Sequence, residues 1–287
     1  LISGNKLPDI ISVQCWYNQC SQLASQGYLY PLDGLIERWA PSFNDKIQED
    51  IWTYFKEGDG FTYGVPNFAY STKYISNDEK LQPNGALMVR EDWYNEVKEQ
   101  GIDMTSPSSF IEGCKYIQNK YSDSIPFQLD AFTQEGNDSI DWLAQYFGAP
   151  YEDSEGNYLD IRLTSRYQEM LEFLNNCNKE GIIKSANYSD KAAQIRTNIA
   201  RGKCFVTAVT PQDYQMAYLN AYGSNIKYVP LVLTNKDGEA PILQDISGNG
   251  YLLTMITKNC KRPDKAIKLL EYLYSEEGQR LVAFGVD

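Results

Sequence analysis

The pattern of apolar and polar positions predicts strands that alternate with helices along the whole chain. Residues 86–97 show it most clearly, because an apolar strand runs into a charged turn carrying Trp93 and then into an amphipathic helix. Further strands are predicted at residues 7–13, 61–65, 124–127, 204–209 and 251–257. Strands alternating with helices are typical of an α/β protein.

Apolar residues at helical spacing predict the helices. One occupies residues 32–39 and ends before Pro41. Another begins at Ser106, a good N-cap, with Pro107 in its first turn. Its predicted buried stripe is Phe110, Ile111, Cys114 and Ile117.

A long helix is predicted from residue 165 to a stop at Gly181, with Ser165 and Gln168 as a capping box. Its predicted inward positions are Tyr167, Met170, Leu171 and Leu174. Three more helices are predicted at residues 192–201, 264–274 and 276–284. Residues 153–157 are predicted to form the turn of a hairpin, and their spacing does not fit a calcium loop.

Composition and charge exclude several classes of protein. The chain has 287 residues, of which 43% are hydrophobic, enough for one large or two moderate domains. A net charge of −12 argues against a nucleic-acid partner, because the phosphate backbone would repel it. No apolar run approaches the roughly 18 residues of a membrane span. The absence of histidine excludes Ser-His and Cys-His nucleophiles and HExxH metal sites.

The six cysteines are expected to be mostly free and structural. They form no CxxC pair and no zinc spacing. Cys114 and Cys177 lie on apolar helix faces, where a free cysteine acts as a small hydrophobe. Only Cys15 and Cys20 are close enough in sequence to suggest a disulfide. No metal or other cofactor is predicted.

Several short segments of the sequence resemble segments of a known protein family. In chain order they are LPDII at 7–11, YPLDGLI at 30–36, YGVP at 63–66, REDW at 90–93, KEGII at 179–183, RGK at 201–203 and the segment 263–285. No single segment is specific for the family, but the occurrence of all seven in this order over nearly the whole chain is. The chain resembles the extracellular solute-binding proteins of ABC importers, in the branch that includes maltose-binding protein. It is most similar to the oligosaccharide-binding lipoproteins of Gram-positive bacteria.

This resemblance implies a two-lobed periplasmic-binding-protein-like (type II) α/β fold with hinge-crossing strands. Lobe 1 would comprise residues 1–87 and the return segment 247–287, and lobe 2 residues 88–246. Both ends of the chain are expected to be truncated relative to the family. The implied protein is a monomer that is extracellular and lipid-anchored to the membrane. It would bind an oligosaccharide or another small polar solute between its lobes and deliver it to ABC permease subunits, without catalysis.

Candidate binding residues follow the strands, because ligands of open α/β sheets lie beyond the carboxyl ends of the strands. Sugars need flat aromatic surfaces together with carboxylates and amides that exchange hydrogen bonds with hydroxyls. In lobe 1 the predicted residues are Gln14, Trp16, Tyr17, Asn67, Phe68, Tyr70, Asn249 and Tyr251. In lobe 2 they are Gln128, Asp130, Phe132, Gln212, Asp213 and Tyr214.

Two alternatives to a transport receptor stay open at this point. Asp130 and Asp213 could form the carboxylate pair of a histidine-free glycoside hydrolase, and the chain could instead be a ligand-sensing domain. Arg90, Asp92 and Trp93 combine charge with an aromatic ring. We interpret Arg90 and Asp92 as a structural ion pair at the crossing between lobes and Trp93 as packing.

Overall fold

The structure, a computed structural model, describes residues 6–15, 18–68, 85–133, 136–243 and 250–286, apart from a few side chains. The chain divides into two compact units, one of Leu1–Glu79 with Ser247–Asp287 and the other of Lys80–Ile246. Their assignment as the two predicted lobes stays a prediction. No helix among the described residues is long and apolar enough to cross a membrane.

Unit 1, the unit containing both ends of the chain, is built on a three-stranded sheet. Strands are numbered in chain order. In this sheet the central strand is β7 (Leu252–Ile256), which lies between β1 (Ile10–Gln14) and β2 (Gly64–Pro66). Both neighbours pair with β7 in the antiparallel sense. The carboxyl ends of β1 and β2 therefore meet at one edge, where β7 begins.

The helices of unit 1 cover this sheet with apolar side chains. They are α1 (Gln19–Ser25), α2 (Leu32–Trp39), α3 (Glu49–Tyr54), α10 (Pro263–Leu273) and α11 (Glu276–Phe284). The largest core cluster of the unit contains Leu32, Ile36, Phe43, Ile47, Val65, Ile256 and Ile267.

Unit 2, the remaining 167-residue span of Lys80–Ile246, is built on a four-stranded sheet of order β4-β5-β3-β6. Its strands are β3 (Ala86–Arg90), β4 (Ile125–Leu129), β5 (Cys204–Val209) and β6 (Tyr228–Pro230). Strand β4 runs parallel to β5, and β3 runs antiparallel to β5. The carboxyl ends of β4 and β5 thus lie at the edge where β3 begins.

Within the described residues of unit 2, six α-helices pack around the sheet. They are α4 (Glu91–Glu99), α5 (Pro107–Lys120), α6 (Asp138–Tyr146), α7 (Ser165–Lys179), α8 (Ala192–Ala200) and α9 (Gln215–Gly223). At the centre of the core, the ring of Phe127 lies 5.0 Å from that of Phe110 and 6.4 Å from that of Phe173. All three side chains are buried.

Most of the predicted elements are confirmed, and two details are wrong. The backbone N–H of Ser109 donates to the Ser106 hydroxyl, which confirms the predicted cap of α5. The cap of α7 is Thr164, which accepts from the Tyr167 N–H, rather than the predicted Ser165 with Gln168. Leu171, predicted to point inward, is 45% exposed, because Phe173 and Cys177 occupy the buried stripe instead.

All six cysteines are free. Burial raises the pKa of the Cys20 thiol to about 12, with smaller contributions from Glu57. Burial also raises the pKa values of Cys114, Cys177 and Cys204. Because the thiolate is the reactive form, these side chains are unreactive in the folded protein.

Thiol titration should separate the folded protein from the unfolded one. At pH 8 we expect a disulfide reagent to react slowly and at most with Cys15, which is half-buried, and Cys260, which is buried. In denaturant it should report six thiols, one for each free cysteine. A count of four in denaturant under non-reducing conditions would instead indicate a disulfide.

Candidate functional site

The strand-end edge of unit 2 brings together several of the predicted binding residues. Leu129, the last residue of β4, lies opposite Ala208 of β5, and Ala86 at the start of β3 lies opposite Val209. Pro211 follows and lacks the N–H that would continue the ladder, so the chain turns there into α9. Asp130 after β4 and Tyr214 before α9 therefore lie side by side.

Asp130 and Tyr214 form the centre of this edge. The Tyr214 hydroxyl donates a hydrogen bond to Oδ1 of Asp130 across 84 positions of sequence. The Tyr214 ring is only 2% exposed, and burial together with the Asp130 carboxylate raises the pKa of its hydroxyl far above the ordinary value. The guanidinium of Arg196 lies over the same ring, 5.3 Å from its centroid. Tyr214 is thus placed to hold Asp130.

The backbone also fixes the Asp130 carboxylate. Oδ1 accepts from the Ala131 N–H at 2.7 Å, and the Asp130 carbonyl accepts from Nδ2 of Asn137 at 2.9 Å. Asn137 caps α6 by accepting from the Ser139 N–H. No described residue donates to Oδ2 of Asp130, and the side chain is half-buried. A fixed carboxylate with a vacant acceptor oxygen can accept a hydrogen bond from a hydroxyl.

Aromatic side chains accompany this carboxylate. The ring of Phe132 lies 5.6 Å from the ring of Tyr188, at an interplanar angle of 49°. Phe132 is half-buried, whereas Tyr188 is 44% exposed. Tyr188 is not among the residues predicted from the sequence. Those residues were chosen at the ends of predicted strands, and Tyr188 does not adjoin one.

The other predicted residues of unit 2 lie at different depths. Gln128 is fully buried within β4 and donates through Nε2 to the Leu129 carbonyl at 2.9 Å, so it is covered in this conformation. Gln212 and Asp213 are exposed on the turn between β5 and α9, where the Asp213 N–H donates to the Thr210 carbonyl.

The strand-end edge of unit 1 also gathers predicted residues. Gln14 ends β1 opposite Leu252, and Asn67 follows β2. Oδ1 of Asn67 accepts from the backbone N–H groups of Tyr251 and Leu252 at 3.0 and 3.1 Å, so it holds the start of β7. The rings of Phe68 and Tyr251 lie 6.3 Å apart, and Tyr251 is 45% exposed. The predicted residues Trp16, Tyr17, Tyr70 and Asn249 lie outside the described residues.

Arg90 and Asp92 form the predicted ion pair, but they do not lie at this edge. Arg90 donates to both carboxylate oxygens of Asp92 at 2.7 and 2.8 Å and to the Gly202 carbonyl at 2.5 Å. Its guanidinium lies 3.8 Å from the ring of Trp93, which is 7% exposed. Arg90 ends β3, whereas the candidate site lies where β3 begins, so the ion pair is structural, as predicted.

No group of three or more acidic, cysteine or histidine residues within the described part of the chain is placed to hold a metal ion. The strand-end edges present hydrogen-bond acceptors and aromatic faces. Such groups suit recognition of a polar, uncharged surface that carries hydroxyls.

Several solved structures have a fold similar to that of this chain. The structure of the S. pneumoniae ABC-transporter substrate binding protein FusA with kestose is similar at TM-score 0.78 and 19% identity, covering 98% of this chain and 58% of that one. A sugar transporter from Arthrobacter chlorophenolicus with laminaribiose matches at TM-score 0.64 and 15% identity, covering 99% and 65%. A solute-binding protein of Bifidobacterium longum infantis, named as binding HMO, matches at 0.70 and 14%, covering 100% and 60%.

The chain therefore spans less than two thirds of the length of these three structures. No curated protein matches its sequence. A family model described as bacterial extracellular solute-binding protein matches residues 1–284, nearly the entire chain. The chain therefore belongs to the family of bacterial extracellular solute-binding proteins.

Proposed function

We propose that the chain captures an oligosaccharide for an ABC importer and does not change it chemically. The observation that carries the proposal is the fixed Asp130 carboxylate, whose Oδ2 accepts from no described residue, two positions before Phe132 and its neighbouring ring Tyr188. A carboxylate can accept hydrogen bonds from the hydroxyls of a sugar, and aromatic rings pack on its apolar face.

The strand-end edge of unit 1 supplies the same kinds of group. Phe68 and Tyr251 offer two neighbouring rings, and Gln14 offers an exposed amide at the end of β1. In this unit the amide oxygen of Asn67 already accepts a hydrogen bond from the backbone at the start of β7, so Asn67 has a structural role at the edge. We propose that ligand contacts from this unit come mainly from the two rings.

Family membership supports the rest of the proposal. Members are extracellular solute-binding proteins, and FusA is named as the substrate binding protein of an ABC transporter. We propose that this chain acts outside the cell as a lipid-anchored monomer that hands its ligand to permease subunits. The glycans in the names of the similar structures favour a carbohydrate over a peptide.

A glycan panel tests this proposal. The protein would be incubated with kestose, laminaribiose, a milk tetrasaccharide and an alginate trisaccharide, followed by measurement of melting temperature and of released products. A ligand at a hundredfold excess over its Kd stabilises the folded state by about 2.7 kcal/mol. For a chain of this size that corresponds to a rise of roughly 5 °C or more.

Stabilisation by at least one glycan, with the glycan recovered intact, is the expected result. Steady release of shorter products would instead favour the glycoside hydrolase alternative, with Asp130 and Asp213 as its carboxylates. No shift with any of the four glycans would contradict a carbohydrate ligand of these classes.

A further inference from the structure

Helix α6 extends directly from the candidate site in unit 2. Its cap Asn137 donates to the Asp130 carbonyl, and the Asp130 N–H donates to the Ser139 hydroxyl at 3.4 Å. Trp142 lies one turn further along the same helix, a spacing that places it on the same face as Ser139. The position of Trp142 is therefore tied to that of the Asp130 loop.

The indole of Trp142 packs directly on Gly85. A Cβ atom placed on Gly85 would lie 2.2 Å from Cδ2, 2.3 Å from Cγ and 2.7 Å from Cδ1 of Trp142. Gly85 immediately precedes β3, at the edge where β4 and β5 end. Trp142 thus lies over the same sheet edge that carries Asp130, and only glycine at position 85 lets the ring lie so close.

The indole of Trp142 packs against the core of unit 2 but is not fully covered. Tyr146, whose ring centroid is 6.1 Å away, accepts a hydrogen bond from the Leu87 N–H and so is fixed to β3. Trp142 itself is half-buried, and its Nε1 is buried without an acceptor among the described residues. An unpaired buried N–H is destabilising, so packing alone does not optimise this position.

Trp93 shows what a purely structural tryptophan of this unit looks like. It is 7% exposed, stacks on Tyr121 at 4.6 Å and 15°, and is covered by Arg90. Trp142 differs from it in exposure and in its place at the strand-end edge.

We propose that Trp142 is an aromatic platform of the carbohydrate site and that Gly85 is the positioning residue that seats it. This inference rests on the proposed function. Asp130 would accept from sugar hydroxyls while the indole packs against the apolar face of a neighbouring sugar ring. Stacking of this kind tolerates different sugars, so Trp142 contributes affinity more than selectivity between epimers.

Three variants and one control test the inference by calorimetric titration with the four glycans named above. An aromatic contact is worth about 0.5–1.5 kcal/mol beyond its buried area, so Trp142→Leu should weaken binding about tenfold. Trp142→Phe keeps a smaller ring and should lose roughly threefold. Gly85→Ala displaces the indole without altering it and should weaken binding as much as Trp142→Leu. Trp93→Phe, the matched control, should bind like the wild type.

Two further readouts separate a binding role from a structural one. Glycan addition should change the tryptophan fluorescence of the wild type, and Trp142→Phe should show a smaller change. Melting temperatures identify any variant that fails to fold. If Gly85→Ala fails to fold, the affinities of the two Trp142 variants test the inference.

Wild-type affinity retained by Trp142→Leu would overturn the inference and leave the proposed function standing. Failure of the wild type to bind any of the glycans would overturn both.

Discussion

Replacing Asp130 by asparagine is expected to weaken carbohydrate binding by about tenfold to a hundredfold. Asparagine keeps an acceptor for the Tyr214 hydroxyl and the Ala131 N–H, so the local structure should persist. It replaces the charged Oδ2 by an amide group, however, and hydrogen bonds to a charged partner contribute about 1.5–3 kcal/mol. Calorimetric titration with a glycan that stabilises the wild type measures the loss directly.

Asp92→Asn is the matched control for this variant. Asp92 is also a carboxylate of unit 2 with an aromatic neighbour, but it lies at the opposite end of β3 and pairs with Arg90. Affinity should be unchanged in Asp92→Asn, although its stability should fall. Equal affinities for Asp130→Asn and the wild type would remove Asp130 from the site.

The largest effect on stability is expected from Phe127→Ala. Phe127 is fully buried in β4 and contacts the rings of Phe110 and Phe173. Removing a buried phenylalanine ring costs about 3–5 kcal/mol, because the transfer energy is lost and a cavity remains. Since each kcal/mol corresponds to roughly 2–4 °C at this chain length, the melting temperature should fall by about 10 °C. Urea unfolding followed by circular dichroism measures the free energy.

Phe284→Ala provides the comparison for that loss. Phe284 is 79% exposed at the end of α11, and exposed substitutions usually change stability by about 0.5 kcal/mol or less. If the two variants were destabilised equally, the core assigned to unit 2 would be wrong.

Helices with a stripe of large apolar residues facing the core were predictable from the sequence. Helix α9 shows why helices without such a stripe were not. In α9 the small residues Ala217 and Ala221 are buried, whereas Met216, Leu219 and Tyr222 are 52–67% exposed. The large apolar side chains therefore point away from the core, which reverses the pattern that predicts a helix. Strand β6 was missed because it has three residues and ends in Pro230.

The site was predictable only as far as local sequence rules reach. The rule that ligands lie beyond strand ends led to Asp130 and Tyr214, which the structure brings into contact. It could not identify Trp142, because that residue reaches the edge from a helix through its contact with Gly85. Nor could it show that Gln128 is buried, since β4 is the edge strand of its sheet and yet is covered on both faces.

Arg90 shows a third limit of the sequence. The sequence favoured a structural ion pair of Arg90 with Asp92, but only the direction of β3 shows at which end of the sheet the pair lies. Strand β3 carries Arg90 to the far end of the sheet, where it bonds Asp92 and Gly202. The antiparallel pairing of β3 with β5 depends on residues more than a hundred positions away.

A crystal structure with a glycan that stabilises the protein would show the binding site itself. We expect a sugar hydroxyl within hydrogen-bonding distance of Oδ2 of Asp130, with a sugar ring against Trp142 or against the Phe132–Tyr188 pair. A glycan bound away from the ends of β4 and β5, with Asp130 still bonded only to Tyr214 and Ala131, would contradict it.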